Sequence, residues 1–257
     1  MITWRQWEDP DGIGAQNMAW DYALAAESRP EQAVLRFYGW ASPTVSLGRN
    51  QAARHRYDLE LAASLGVDFV RRPTGGAAVL HHQEVTYAVV VPLRAFGGPR
   101  NTFHLISEGL LQGVRALGVP AELSRDGQTS GPPTAERFCF GVRAPGELSV
   151  GGHKLLGSAQ ARIGEALLQH GSLLISAGQE MLSQITHGGG FEGGPPITLE
   201  AALGGPVDPG RVRRSLRHSL QAVLGGDWAE GHPTVSEAAV AARLEATYRD
   251  SAWTWRR

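Results

Sequence analysis

Apolar residues recur at helical spacing in five segments of the chain. Apolar side chains that lie three and four positions apart form one face of a helix, and a glycine after the last of them is typical of a helix end. We therefore predict a first helix over residues 18–27 with Asn17 as its N-cap. The same spacing predicts four more helices, over residues 58–65, 102–117, 212–223 and 235–249.

Short runs rich in β-branched residues predict the strands between these helices. The predicted strands cover residues 33–38, 44–48, 67–72, 77–81, 85–91, 147–150, 153–162 and 166–175. The run VTYAVVV over residues 85–91 is almost continuously apolar, as expected for a central strand. Gly151 and Gly152 predict the tight turn of a hairpin, whereas residues 124–133 and 186–209 are rich in Gly and Pro and predict connections. This order of elements predicts an α+β (mixed α/β) fold with several antiparallel hairpins.

Composition narrows the class of protein. The chain has 257 residues, of which 42% are hydrophobic and 19% charged, and we expect one domain over residues 1–257. The net charge of -1 gives no overall field that would recruit nucleic acid. The sequence has neither a basic leader nor a run of eighteen apolar residues, so we expect a cytoplasmic protein without a membrane partner. A single cysteine excludes an internal disulfide and a cysteine-rich metal site.

Two residues that each occur once attract attention. Cys139 is the only cysteine, and Lys154 is the only lysine among 24 basic residues. Arginine has replaced lysine wherever positive charge suffices, so Lys154 is a candidate for a role that needs a compact ammonium group. A lone cysteine is more often a small buried apolar residue than a nucleophile, and a lone lysine can survive by chance at a surface position. The surrounding motifs must decide.

Three motifs surround these residues: RRPTGGAAVLH over 71–81, GGHKLLGSAQ over 151–160, and QHGS over 169–172. Two glycines after a strand let backbone N–H groups approach a ligand, although the same pair is also common in simple tight turns. The chain contains no GxxxxGK[ST] run and no GxGxxG after a strand, so neither of these nucleotide-binding loops is present.

In combination, the motifs resemble the biotin/lipoate protein ligase family. The nearest likeness is to the cysteine-dependent octanoyltransferases of lipoate assembly, which carry a Cys-Phe pair fifteen residues before the lysine, as Cys139 and Lys154 are spaced here. The resemblance implies a catalytic domain with mixed, largely antiparallel sheets flanked by helices.

The resemblance also implies the site residues. Cys139 and Lys154 would be catalytic, and the substrate-binding wall would contain Arg71, Arg72, Thr74, Gly75, Gly76, Ala78, Val79, His81, Gly157, Ser158, Ala159, Gln160 and His170. Arg71 and Arg162 were candidates for guanidinium groups at the mouth that hold a phosphate, with an exposed, solvated arginine as the equal alternative.

The chemistry of these residue types agrees with this assignment. A thiolate accepts an acyl group from another thioester without activation by ATP, and a nearby ammonium favours the thiolate and stabilises the oxyanion of the tetrahedral intermediate. A lysine amine of a second protein would then take the acyl group as an amide. His81 or His170 could accept the proton of that amine, or each could form a hydrogen bond between strands. No cofactor and no metal is implied.

The resemblance implies acyl carrier protein as the octanoyl donor and a lipoyl domain, such as the glycine cleavage H protein, as the acceptor. Three alternatives stay open. An ATP-dependent lipoate or octanoate ligase is disfavoured because only 85 residues follow the QHGS motif, too few for a separate accessory domain. A lipoyl-domain amidotransferase would use the same cysteine, and a non-catalytic acyl-binding module would not need both Cys139 and Lys154.

Overall fold

The computed structural model describes residues 1–124, 146–188 and 194–257. In these ranges the strands are β1 (Thr3–Glu8), β2 (Gln32–Tyr38), β3 (Thr44–Leu47), β4 (Asp68–Arg71), β5 (Val79–His81), β6 (Glu84–Pro92), β7 (Glu122–Leu123), β8 (Leu148–Val150), β9 (His153–Ile163), β10 (Ala166–Leu174) and β11 (Asp227–Glu230). The α-helices are α1 (Gly14–Ala26), α2 (Leu59–Ser64), α3 (Pro99–Ala116), α4 (Glu180–Gln184), α5 (Leu199–Leu203), α6 (Pro209–Leu224), α7 (Val235–Arg249) and α8 (Ser251–Thr254).

Eight strands form a large mixed sheet in the order β11-β1-β2-β6-β10-β9-β8-β7. The pairs β11/β1 and β1/β2 are parallel, whereas every pair from β2 to β7 is antiparallel. β6 lies between β2 and β10, and seven of its nine residues are buried, which explains its continuous apolar run.

The large sheet has an apolar core on each face. Tyr87 and Val89 of β6 join one core with α3 and α6, and Ala88 and Val90 join the other with α1 and α7. Neighbouring residues of a strand point to opposite faces, so β6 contributes to both cores. Because α6 and α7 complete these cores, their packing supports the single-domain prediction for residues 1–257, which stays a prediction.

A second sheet of three strands has the order β4-β3-β5, with β3/β4 parallel and β3/β5 antiparallel. Its own core contains Val45, Leu47 and Leu80, together with residues of α2 and α4. The small sheet carries the 71–81 motif, since β4 ends at Arg71 and β5 begins at Val79.

The predicted α+β fold is confirmed, but the predicted start of the first helix is wrong. Helix α1 begins at Gly14, and Ile13 rather than Asn17 has the extended backbone of an N-cap. Asn17 lies inside the helix, where its side chain donates to the Gly39 carbonyl at 2.9 Å and accepts from Arg36 at 3.0 Å. Sequence patterns also missed β1, whose two tryptophans are buried, and its edge partner β11.

None of the helices within the three described ranges is long and apolar enough to cross a membrane.

Candidate active site

The 71–81 motif forms a turn between β4 and β5, and hydrogen bonds from the Arg72 side chain hold this turn in place. Arg72 Nη2 donates to the carbonyls of Gly75 at 2.7 Å and Ala77 at 2.8 Å, while Nη1 donates to the Ser46 carbonyl at 2.7 Å. Arg72 and Thr74 are buried, whereas Gly75 and Gly76 are exposed. The guanidinium group therefore fixes the turn so that its glycine backbone faces outward. We call residues 74–76 the glycine turn.

A second backbone segment packs directly on the glycine turn. A Cβ atom on Gly48 would lie 1.8 Å from the Gly76 carbonyl oxygen, so only glycine allows this approach. Gly76 itself has φ 98°, which glycine adopts without strain. The Arg49 N–H donates to the Thr74 carbonyl at 2.7 Å and locks the two segments together.

A buried chain of hydrogen bonds connects the glycine turn to the first helix. The Thr74 hydroxyl lies 2.7 Å from His170 Nε2, and His170 Nδ1 lies 2.7 Å from Asp21 Oδ2. Asp21 also accepts from Arg36 Nη1 and from the Tyr38 hydroxyl, both at 2.9 Å. Because the carboxylate accepts from Nδ1–H, Nε2 accepts the Thr74 proton. The order of groups is that of a hydroxyl–His–Asp triad, but Thr74 has 0% exposed surface, which does not suit a nucleophile.

His81 is the centre of a second buried network. Its Nε2 lies 2.7 Å from Ser46 Oγ and its Nδ1 lies 2.7 Å from Glu84 Oε1. The Ser172 hydroxyl donates to the same Glu84 oxygen at 2.7 Å, and the Trp40 ring stacks on the imidazole at 3.9 Å between centroids. These bonds join β3, β5, β6 and β10, which is the strand-linking role that sequence reasoning weighed against proton transfer.

Lys154 is buried beside a carboxylate. Its Nζ donates to Glu147 Oε1 at 2.5 Å, and each residue is 3% exposed. Lys154 lies in β9 and Glu147 comes directly before β8, and the Gly151-Gly152 turn connects these two strands. Burial raises the pKa of Tyr87 to about 12, with its hydrogen bonds to Ser158 and Gln169 acting against the rise and the negative charge of Glu147 contributing to it.

Gly171 allows a polar contact across three strands. It is paired with Tyr87 of β6 on one side and with Ser158 of β9 on the other. The Tyr87 hydroxyl passes over Gly171 to reach Ser158 Oγ at 2.7 Å. A Cβ atom on Gly171 would lie 2.8 Å from the Tyr87 ring and 2.4 Å from the Gly157 carbonyl oxygen, so a larger residue would separate these strands.

The QHGS motif serves both faces of the large sheet. Gln169 donates to the Tyr87 hydroxyl at 3.2 Å and accepts from Gln160 at 2.9 Å. The next residue, His170, points to the opposite face, where it meets Asp21 of α1. The motif therefore connects the Tyr87–Ser158 network with the network beneath the glycine turn.

Arg71 does not lie at an open mouth of the substrate site, where the sequence suggested a guanidinium group that holds a phosphate. It has 0% exposed surface, because its Nε donates to the Thr254 carbonyl at 2.8 Å and its Nη1 donates to the Gly48 carbonyl at 2.6 Å. Arg162 is exposed, but it is paired with Glu165 at 2.6 Å. These contacts give Arg71 a structural role between the small sheet and the C-terminal segment.

The remaining predicted residues divide as follows. Ala78 and Val79 are buried in the small sheet, Gly157 is buried in β9, and Ala159 and Gln160 follow it on β9, half-buried. Cys139 lies outside the described residues. Sequence reasoning missed Asp21, Glu84, Tyr87 and Glu147. The only sequence signal for these four residues was the presence of a polar residue within an apolar helix or strand or at its edge. In the three described ranges, no cluster of three or more His, Cys, Asp or Glu side chains could hold a metal ion.

Comparison with known proteins assigns the chain to a family. Residues 14–195 match the model of the lipoyl protein ligase A/B catalytic domain. The chain belongs to this family.

Two curated relatives align over essentially their whole length. The chain is 37% identical to octanoyltransferase LipM of Kyrpidia tusciae, covering 100% of both chains, and 38% identical to octanoyltransferase LipM of Symbiobacterium thermophilum, covering 99% of both. These matches confirm the prediction of an octanoyltransferase of lipoate assembly, which is an acyltransferase. Among family folds, the bi-partite lipoate protein ligase of Thermoplasma acidophilum, described with its E2 lipoyl domain, superposes with a TM-score of 0.81 at 22% identity, covering 99% of this chain and 97% of that one.

Gly75 offers a test of the predicted substrate wall in this family member. A Cβ atom there would meet nothing within 4 Å, and its φ is not positive, so the fold does not require glycine. We expect Gly75→Ala to leave the free energy of unfolding unchanged or raised by up to about 1 kcal/mol. We expect octanoyl transfer to fall about tenfold or more, because the added methyl group intrudes on the acyl group.

The matched control is Gly205→Ala, because Gly205 has the same freedom from contacts and no positive φ but lies outside the motifs. Both variants are compared by thermal unfolding and by steady-state transfer. Equal activities of the two variants would remove Gly75 from the substrate wall.

Proposed function

We propose that this octanoyltransferase takes the octanoyl group from acyl carrier protein onto Cys139 and passes it to a lysine of a lipoyl domain, such as the glycine cleavage H protein. The single observation that carries the proposal is the full-length identity to octanoyltransferases, combined with a buried lysine in the family's Gly-x-Lys-x-x-Gly-Ser-Ala setting. The Thermoplasma ligase is described together with an E2 lipoyl domain, which supports a lipoyl-domain acceptor.

The reaction consists of two nucleophilic substitutions at the carbonyl carbon of the octanoyl group. In the first, the Cys139 thiolate attacks the carrier thioester, a new C–S bond forms, and the carrier thiolate leaves and takes up a proton. In the second, the lysine amine of the acceptor attacks, the C–N bond of the amide forms, the Cys139 thiolate leaves, and the amine loses one proton. The thioester is already activated, so neither step consumes ATP.

Lys154 is suited to stabilise the oxyanion in both steps. A buried ammonium group interacts with developing negative charge more strongly than an exposed one, because little water competes with it. Glu147 holds Nζ in one position before the substrate arrives. Such pre-organisation is the main source of electrostatic stabilisation at enzyme sites.

We assign positioning roles to the two histidines. His170 connects Asp21 to Thr74 and so holds the glycine turn against the large sheet. His81 holds β5 against β3 and β6. Both imidazoles thereby support the wall along which the octanoyl chain would lie.

The form in which the octanoyl group is supplied distinguishes this function from the ligase alternative. We expect the purified protein to transfer octanoate from octanoyl-loaded acyl carrier protein to a lipoyl domain equally well with and without ATP. Free octanoate should give no transfer in either condition. Octanoyl-lysine on the lipoyl domain is measured by mass spectrometry.

Each alternative has its own result in that experiment. Transfer from free octanoate that requires ATP would establish a ligase and overturn the proposal. Transfer from an octanoylated lipoyl domain but not from the carrier would establish an amidotransferase. A protein that binds the octanoyl carrier but never modifies any acceptor would be a non-catalytic module.

A further inference from the structure

Five arginines with exposed surface gather where the C-terminal segment packs on residues 48–57, around the buried Arg71. We call them the arginine patch, and its members are Arg49, Arg54, Arg56, Arg256 and Arg257. Hydrogen bonds to backbone carbonyls hold the group together: Arg54 Nε donates to Trp255 at 2.7 Å, Arg256 Nη2 donates to Arg49 at 2.7 Å, and Arg71 Nε donates to Thr254 at 2.8 Å. The backbone of Ala53 adds a bond to the Arg257 carbonyl at 3.0 Å.

Among the described residues, no aspartate or glutamate forms an ion pair with any of the five members of the arginine patch. Burial, together with the charges of Arg256 and Arg257, lowers the pKa of Arg71 to about 10. Burial likewise lowers the pKa of Arg256, with Arg49 and Arg257 as additional causes. Several positive charges therefore lie close together here, on a chain whose net charge is only -1.

The patch adjoins the glycine turn directly. Arg49 donates its backbone N–H to the Thr74 carbonyl, and Gly48 packs on the Gly76 carbonyl, as described above. Arg49, Arg54 and Arg257 are exposed, and Arg56 and Arg256 are half-buried. A negatively charged molecule bound by these side chains would therefore lie beside the wall that receives the acyl group.

Building on the proposed function, we propose that the arginine patch is the docking surface for the octanoyl donor, an acidic carrier protein whose acyl arm contains a phosphodiester. Guanidinium groups bind carboxylates and phosphates through paired N–H donors, and no other residue type does so as well. The donor fits this chemistry twice, through its acidic surface and through the phosphodiester of its arm.

The test reverses two charges that do not support the fold. Arg49 and Arg257 are exposed, and no side-chain hydrogen bond is formed by either within the described ranges. We expect the double variant Arg49→Glu with Arg257→Glu to raise KM for the octanoyl carrier at least about tenfold, with kcat nearly unchanged, since charge complementarity acts mainly on encounter. The wild-type KM should rise with ionic strength, and that of the double variant should respond less.

Two comparisons isolate the docking surface. Octanoyl-pantetheine lacks both the phosphate and the carrier protein, so wild-type protein and double variant should use it equally well. The control variant Arg100→Glu reverses an exposed charge in the first turn of α3, on the other face of the large sheet, and should leave KM for the carrier unchanged.

Three results would overturn the inference: an unchanged KM for the carrier in the double variant, a raised KM for the lipoyl domain instead, or an equal loss with octanoyl-pantetheine. Direct binding of the carrier protein, followed by fluorescence anisotropy, separates this inference from the proposed function. If wild-type protein transfers from no thioester, the proposed function fails, yet binding that the double variant loses would still establish the docking surface.

Discussion

Cys139→Ala is expected to abolish octanoyl transfer from acyl carrier protein. Without the thiolate no acyl-enzyme forms, and we expect kcat to fall at least about a thousandfold, as for other enzymes that lose their nucleophile. The wild-type protein mixed with octanoyl carrier should gain one octanoyl mass, and hydroxylamine should release it. Because the chain has one cysteine, the site of a thioester is unambiguous.

Cys139→Ser is the sharper variant, since it keeps the size and a weak nucleophile. We expect it to accumulate little or no octanoyl adduct, and any oxygen ester should resist hydroxylamine at neutral pH better than the thioester does. Thermal unfolding of both variants checks that the fold is intact. ATP-independent transfer by Cys139→Ser at the wild-type rate would exclude the covalent mechanism.

Local patterns predicted the elements of the fold well, but not the networks between them. The apolar run of β6, the β9–β10 strands and the helical spacing of α3 are all properties of neighbouring residues, and the structure contains each of them. The Asp21–His170 bond joins residues 149 positions apart, and the Arg71–Thr254 bond joins residues 183 positions apart. No local period records such contacts.

Arg71 shows why residue type alone misplaced a candidate site. Its sequence position, at the end of a strand and before a glycine-rich turn, is the same whether its side chain faces solvent or interior. The side chain faces the interior because the C-terminal segment supplies the Thr254 carbonyl as its hydrogen-bond acceptor. The same segment brings Arg256 and Arg257 beside Arg49, so a positive surface arises from residues that are distant in sequence.

A chain of this length can also belong to a lipoate protein ligase. The bi-partite lipoate protein ligase of Thermoplasma acidophilum covers 99% of this chain with 97% of its own, so a chain described as part of a ligase can have this extent. The identity of 37% to an octanoyltransferase is the stronger observation, because the match extends over both full chains and includes the segments that carry the motifs.

The buried position of Lys154 leads to the second large effect. Lys154→Arg keeps the positive charge, but its bulkier, planar group cannot occupy the position of Nζ beside Glu147 Oε1. We expect both acylation and transfer to slow by about 10²–10³-fold, the usual result of removing one oxyanion donor. Rapid-quench measurement of acyl-enzyme formation checks the first step, and a lipoyl-domain assay checks the second.

A paired variant separates catalysis from stability. Lys154→Met leaves the buried Glu147 carboxylate without the ammonium group and should lower the free energy of unfolding by about 3–5 kcal/mol. Adding Glu147→Gln removes that buried charge, so stability should return in large part while activity stays at the level of Lys154→Met. If activity returns together with stability, Lys154 acts only through the fold, and the oxyanion must be stabilised by another group, such as the backbone N–H groups of the glycine turn.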